Sequence, residues 1–127
     1  LERRISLIQW NLNSYKRKFS QLKLLIRKLA PACICLQETL ITTLRTYPPS
    51  GYSMFHSPCD PFDGPRRGVG ILIDNNFQYE TINLDTTIEA IAIKLYLDKP
   101  YTICNIYFGG APSPPKPPSF PPKIRLK

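Results

Sequence analysis

Two polar residues stand just beyond two short apolar runs. Asn11 follows Ile5–Trp10, and Glu38 follows Ala32–Leu36. Between the runs, Leu22, Leu25, Ile26 and Leu29 recur at helical spacing, with Ser14 placed to cap the helix and Pro31 to stop it. Strand, helix, strand makes a βαβ unit with two parallel central strands. Both strand ends then reach the same edge of the sheet, where ligand sites of α/β folds gather. An amide and a carboxylate 27 residues apart in sequence come side by side there. A hard cation such as Mg²⁺ takes one or two carboxylates and keeps several waters. With such a cation on a phosphate, and a base to activate water, phosphodiester hydrolysis is the chemistry within reach. Asn11 also reads as a turn residue and Glu38 as a solvated loop acid, and these two residues alone leave both readings open.

The elements that must position them continue as strands. Tyr52 to His56, Gly68 to Ile73 and Phe77 to Asn83 read as strands, separated by a Pro-Pro-Ser-Gly turn, a loop from Ser57 to Arg67 with three prolines, and Asp74-Asn75-Asn76. Ile91, Ile93, Leu95 and Leu97 alternate with polar or small residues, as in a half-buried strand. Lys99-Pro100 turns the chain, and Tyr101 to Tyr107 returns as an antiparallel partner. Residues 1–107 therefore form one α/β unit: the βαβ motif, then a meander of strands. Residues 108–127 hold seven of the fourteen prolines and no acid, and are expected to be an extended, disordered, basic tail. Its PxxP pattern leaves open a role as a ligand for an SH3-type domain.

The chain has 127 residues, a net charge of +8 and a pI of about 9.5. Eight of its basic residues fall in the first 29 positions against one acid, Glu2. Such a balance suits a polyanion, nucleic acid or an acidic membrane surface, and equally a basic soluble domain. No apolar run approaches the roughly 18 residues of a membrane span, so no membrane partner is expected. The start at Leu1 without Met reads as a fragment or a processed product. Cysteines 33, 35, 59 and 104 show no zinc spacing. Cys33 and Cys35 share one strand face, which disfavours a bridge between them. Free thiols in a reducing compartment, nuclear or cytoplasmic, are the expectation.

The strings Ile8-Gln9-Trp10-Asn11-Leu12-Asn13-Ser14 and Ile34-Cys35-Leu36-Gln37-Glu38-Thr39 resemble the first two motifs of the endonuclease/exonuclease/phosphatase superfamily. More narrowly, they resemble the apurinic-type endonuclease domain of jockey-like non-LTR retrotransposons. Ser50-Gly51-Tyr52, Arg67-Gly68-Val69-Gly70-Ile71-Leu72-Ile73 and Thr102-Ile103-Cys104-Asn105-Ile106-Tyr107 agree in order and approximate spacing, so the similarity runs from about residue 5 to 107. The resemblance implies the N-terminal half of a four-layer α/β sandwich. It also implies a hydrolase that cleaves DNA with Mg²⁺ or Mn²⁺ and works beside a reverse transcriptase domain in a parent polyprotein. By position, Glu38 is the implied metal ligand, Asn11 helps orient the metal, and Gln37 supports Glu38. Tyr107 is implied to approach the scissile phosphate. Asn13, Ser14, Arg66 and Arg67 are the implied nucleic-acid contacts, or else a helix cap and a solvated loop. His56, the one histidine, does not match the superfamily's catalytic histidine, which lies near the end of the full domain.

The sequence departs from the pattern after Tyr107. Neither the Gly-Asp-Phe-Asn segment nor the Ser-Asp-His ending follows, so the aspartate, the histidine and several metal ligands are lacking. The break at Phe108 reads as a frameshift or a mispredicted exon in a decayed mobile element. Two functions follow as expectations: an endonuclease domain cut short and inactive in this chain, or a non-enzymatic fragment that binds nucleic acid or a partner. A small-molecule phosphatase of the same superfamily fits the motifs less closely.

Overall fold

Residues 5–42, 46–57, 68–108 and 124–126 are described in a computed structural model of the chain. Within them the first apolar run becomes strand β1, Leu7–Asn11, and the amphipathic segment becomes helix α1, Tyr15–Leu29. Ser14 is the N-cap, its Oγ accepting from the Arg17 N–H at 3.2 Å. Ala30, with φ 41°, ends the helix just before Pro31. Strand β2, Cys33–Gln37, pairs parallel with β1, with Asn11 opposite Gln37. Strands β3, Tyr52–Ser57, and β4, Val69–Asp74, complete a sheet of order β1-β2-β4-β3. Thus β2 is central as expected, while β1 forms an edge of the described sheet. The first sheet is no simple meander either, since β4 inserts between β2 and β3 and runs antiparallel to both.

Strands β5, Gln78–Ile82, β6, Glu89–Tyr96, and β7, Pro100–Tyr107, form the second sheet in sequence order. The β6–β7 hairpin has Glu89 opposite Tyr107. Ile124–Leu126 adds an antiparallel fourth strand, β8, on the edge of β7. That differs from the expected unstructured tail for these three residues. They contain no proline, so each can donate and accept in a ladder, which the preceding proline run cannot. The rest of the Pro-rich segment, 109–123, lies outside the described residues.

Two apolar layers hold the elements together. Leu12, Leu22, Ile34, Leu36 and Leu72 pack between α1 and the first sheet. Cys33, Cys35, Val69, Ile71 and Ile73 meet Ile91, Ile93, Leu95 and Ile103 between the sheets. Helix, sheet and sheet are three of the expected four layers, and no helix covers the outer face of the second sheet among the described residues. The inward stripe of α1 also includes Tyr15 and Phe19, whose rings meet edge to face at 5.5 Å. Leu29 belongs to the same stripe by spacing, but it lies in the last turn and is 57% exposed. Cys33, Cys35 and Cys104 are free thiols, and Cys59 lies outside the described residues. A hydrogen bond with Cys33, and then burial, hold the Cys35 thiol well above the ordinary range, which keeps it protonated and inert. No helix is long and apolar enough to cross a membrane among the described residues.

Candidate metal and phosphodiester site

The parallel pairing of β1 and β2 carries Asn11 and Glu38 to one edge of the first sheet, with Asn11 closing β1 and Glu38 just past β2. The chain leaves both strands along a shared path. Leu12 N–H donates to the Gln37 carbonyl at 3.1 Å, Ser14 N–H to Glu38 at 2.8 Å, and Tyr15 N–H to Thr39 at 2.9 Å. Four non-glycine residues with positive φ cluster on this path: Asn13 at 48°, Ser14 at 100°, Glu38 at 56° and Leu40 at 56°. Each such residue costs roughly 1–3 kcal/mol, and the cost is met only where surrounding bonds over-determine the backbone. Here the carbonyls of Glu38 and Thr39 are both taken by the start of α1.

The side chains converge on one oxygen. Asn11 donates through Nδ2 to Glu38 Oε2 at 3.0 Å, and the Tyr107 hydroxyl donates to the same oxygen at 2.6 Å. Tyr107 arrives from the second sheet, at the end of β7, and is buried except for 5% of its surface. The two donors fix the carboxylate in position. Asn11 addresses Glu38 through its amide nitrogen, so its side chain orients the carboxylate, and the amide oxygen is not used in that bond.

A second row of polar side chains lies one step inward. Gln9 Nε2 donates to Gln37 Oε1 at 2.7 Å, and Gln37 Nε2 donates to Asn105 Oδ1 at 2.5 Å. Asn105 Nδ2 donates to the carbonyls of Leu36 at 3.0 Å and Gly70 at 2.9 Å. Gln37 and Asn105 are fully buried. Gln37 therefore meets its neighbours in the row before Glu38, and not the carboxylate itself.

At the rim, Gly68 N–H donates to Glu89 Oε1, and the Gly68 carbonyl accepts from Thr39 N–H at 3.1 Å. Gly68 has φ 105°, and a Cβ there would lie 2.3 Å from Thr39 Oγ1, so only glycine fits beside the residue that follows Glu38.

Of the other expected contacts, Ser14 is 8% exposed and turns its hydroxyl to Arg17 N–H, while Asn13 is half-buried at its left-handed turn. Arg66 and Arg67 lie outside the described residues. His56 stays within β3, opposite Gly70, its Nδ1 buried with no hydrogen-bond partner, and burial lowers its pKa below the ordinary 6.5. Residue-type reasoning missed Gln9, Asn105 and Glu89. One signal was available: Asn105 occupies an inward position of β7, between Ile103 and Tyr107, where alternation calls for an apolar residue.

No trio of His, Cys, Asp or Glu gathers at one point among the described residues. The site offers one oriented, half-exposed carboxylate. That donor set cannot enclose a cation, but it fits a hard divalent ion that retains most of its waters.

No family model matches the chain, and no curated protein matches it. Solved structures do. An AP endonuclease from Archaeoglobus fulgidus matches with a TM-score of 0.55 and 23% identity, over 69% of this chain and 36% of that one. The AP endonuclease LMAP from Leishmania major matches with a TM-score of 0.56 and 20% identity, over 80% and 39%. The human Nocturnin catalytic domain, solved with a bound sulfate anion, gives 0.55 and 21% identity, over 79% and 48%. The fold is thus the endonuclease/exonuclease/phosphatase fold. The chain spans between about a third and a half of the length of these structures.

Proposed function

We propose that residues 5–107 are the metal-anchoring half of a DNA-cleaving phosphodiesterase domain, of the apurinic-type endonuclease kind carried by jockey-like non-LTR retrotransposons. The observation that carries this reading is the convergence of Asn11 and Tyr107 on a single oxygen of Glu38, from two strands of one sheet and one strand of the other. Glu38 would hold a hydrated Mg²⁺ or Mn²⁺, with Asn11 and Tyr107 keeping its carboxylate in place. When bound, such a cation supplies charge neutralisation at a phosphate. DNA is the substrate class in the intact domain, and a reverse transcriptase domain is the companion in the parent polyprotein. We place the protein in the nucleus or cytoplasm, on its free thiols.

This chain by itself does not turn over. It lacks the Gly-Asp-Phe-Asn and Ser-Asp-His motifs, and loss of one general acid–base group costs about 10²–10⁴-fold in rate. The test is Mn²⁺ binding by the full chain and by Glu38→Ala, beside nicking of a supercoiled plasmid with Mg²⁺. Binding that disappears in Glu38→Ala, with no nicking by either protein, is the expected result. Equal Mn²⁺ binding by both proteins sinks the metal-anchoring reading, and Glu38-dependent nicking overturns the inactivity.

A specific observation supports a second reading, a non-enzymatic nucleic-acid-binding fragment. Lys16, Arg17, Lys23, Arg27 and Lys28 are all exposed on α1, and no acid lies in the first turn of the helix. Salt-sensitive DNA binding, unchanged by Glu38→Ala and accompanied by no cation binding, is the outcome that selects it.

A further inference from the structure

We propose that Asn105 is the positioning residue of this site, setting the height of β7 against β2 so that the Tyr107 hydroxyl meets Glu38. The inference rests on the reading of Glu38, Asn11 and Tyr107 as a functional group of residues. It assigns a role to a residue outside that group.

The two sheets meet mainly through aliphatic side chains: Ile71 and Ile73 on one side, Ile93, Leu95 and Ile103 on the other. Apolar burial is non-directional, so such a contact fixes the spacing of the sheets better than it fixes their sliding. A hydrogen bond of 2.6 Å between sheets, such as Tyr107 to Glu38, tolerates little sliding. Something directional must set the register, and Asn105 supplies it. Its Nδ2 donates to two carbonyls on two neighbouring strands of the first sheet, Leu36 on β2 and Gly70 on β4, which face each other in the ladder. Its Oδ1 accepts from Gln37.

The clamp is symmetric about the site. Asn105 lies two residues before Tyr107 on β7, and Leu36 lies two residues before Glu38 on β2. The polarity of the whole row also follows from the two carbonyls. Both accept only, so the Asn105 nitrogen must face them and its oxygen must face Gln37. Gln37 must then present its nitrogen to Asn105 and its oxygen to Gln9. Asparagine is the residue type that satisfies two acceptors and one donor from a single short side chain. Leucine offers none of these bonds, and aspartate would set an acceptor against two carbonyls.

The readout is the Tyr107 hydroxyl itself. The full chain, labelled with 3-fluorotyrosine, gives one ¹⁹F line per tyrosine. Tyr107→Phe identifies its line, and Glu38→Gln marks where that line moves when its charged partner is lost. Asn105→Leu is expected to move the Tyr107 line to the Glu38→Gln position, or to split it, while the lines of Tyr79, Tyr96 and Tyr101 keep their shifts. If Asn105→Leu fails to fold, Asn105→Ala removes the same three bonds without adding volume and is expected to move the Tyr107 line in the same direction. A folded Asn105→Leu, or failing that Asn105→Ala, with the Tyr107 line unmoved overturns the proposal. Added Mn²⁺ separates this outcome from the functional reading. A wild-type Tyr107 line that Mn²⁺ does not broaden refutes cation binding at Glu38, while the shift in Asn105→Leu still supports the positioning role.

Discussion

Replacing Gly68 by alanine brings a methyl group to within 2.3 Å of Thr39 Oγ1, 3.3 Å of the Leu40 nitrogen and 3.6 Å of Thr39 Cβ. Two costs separate cleanly. The backbone at φ 105° is left-handed, and an L side chain there costs about 1–2 kcal/mol. The overlap with Oγ1 cannot be relieved by a surface rotation, because Thr39 is 1% exposed and its Oγ1 accepts from the Ile41 N–H. Inserting one carbon into such a packed spot costs about 1–3 kcal/mol. Gly68→Ala should therefore destabilise the chain by about 2–5 kcal/mol, a large part of the roughly 5–15 kcal/mol available to a domain. Urea unfolding followed by the fluorescence of Trp10, the one tryptophan, measures it. In a Thr39→Ala background Oγ1 is gone, so the same substitution should cost only the dihedral share, about 1–2 kcal/mol. A Gly68→Ala chain within about 0.5 kcal/mol of wild type, the scatter of ordinary surface changes, refutes the reasoning. So does an equal cost in both backgrounds, because it would place the strain somewhere other than Thr39.

Two further outcomes follow from the site. Tyr107→Phe and Glu38→Gln, combined in a double-mutant cycle, should show a coupling of about 1 kcal/mol in unfolding. That lies below the roughly 1.5–3 kcal/mol of a charge-assisted bond because Glu38 is half-exposed to water. Strictly additive effects would remove the bond from the energetics. His56 is held below its ordinary pKa of 6.5 by burial. The unfolded chain takes up the proton first as pH falls. The stability present above pH 6.5 is thus lost as pH drops through the lower folded value. His56→Gln should flatten that slope in urea midpoints measured across the window, and an unchanged slope assigns the acid sensitivity elsewhere.

The βαβ unit was legible because its signals are local: two apolar runs, a helical stripe, a capping serine and a stopping proline. The pairing of Asn11 with Glu38 followed from that unit alone. Sheet order was not legible. Nothing in the residues from Tyr52 to Asp74 says that β4, rather than β3, lies against β2, because both are short strands and neither carries a pairing signal of its own. The resemblance implied only that Tyr107 approaches the scissile phosphate; its bond to Glu38 depends on how two sheets stack, which no local pattern encodes. Asn105 hid for a related reason. A polar residue in a strand reads as outward-facing by default, and only the burial of its neighbours on both sides marks it as a clamp. The strand at Ile124–Leu126 was masked by its surroundings, since the proline run before it dominates any local reading.

The start of α1 has a consequence for how the site comes into being. The first N–H groups of any helix lack partners within it. Here the Ser14 and Tyr15 N–H groups are satisfied by the carbonyls of Glu38 and Thr39. The loop after β2 thus adds to the Ser14 cap of the helix, and the start of the helix in turn helps to hold Glu38 in its left-handed turn. Each half supports the order of the other. The carboxylate is therefore not a decoration added to a finished scaffold: it becomes geometrically defined in the same cooperative step that docks α1, and any fluctuation that frays the first turn of the helix dissolves the site with it.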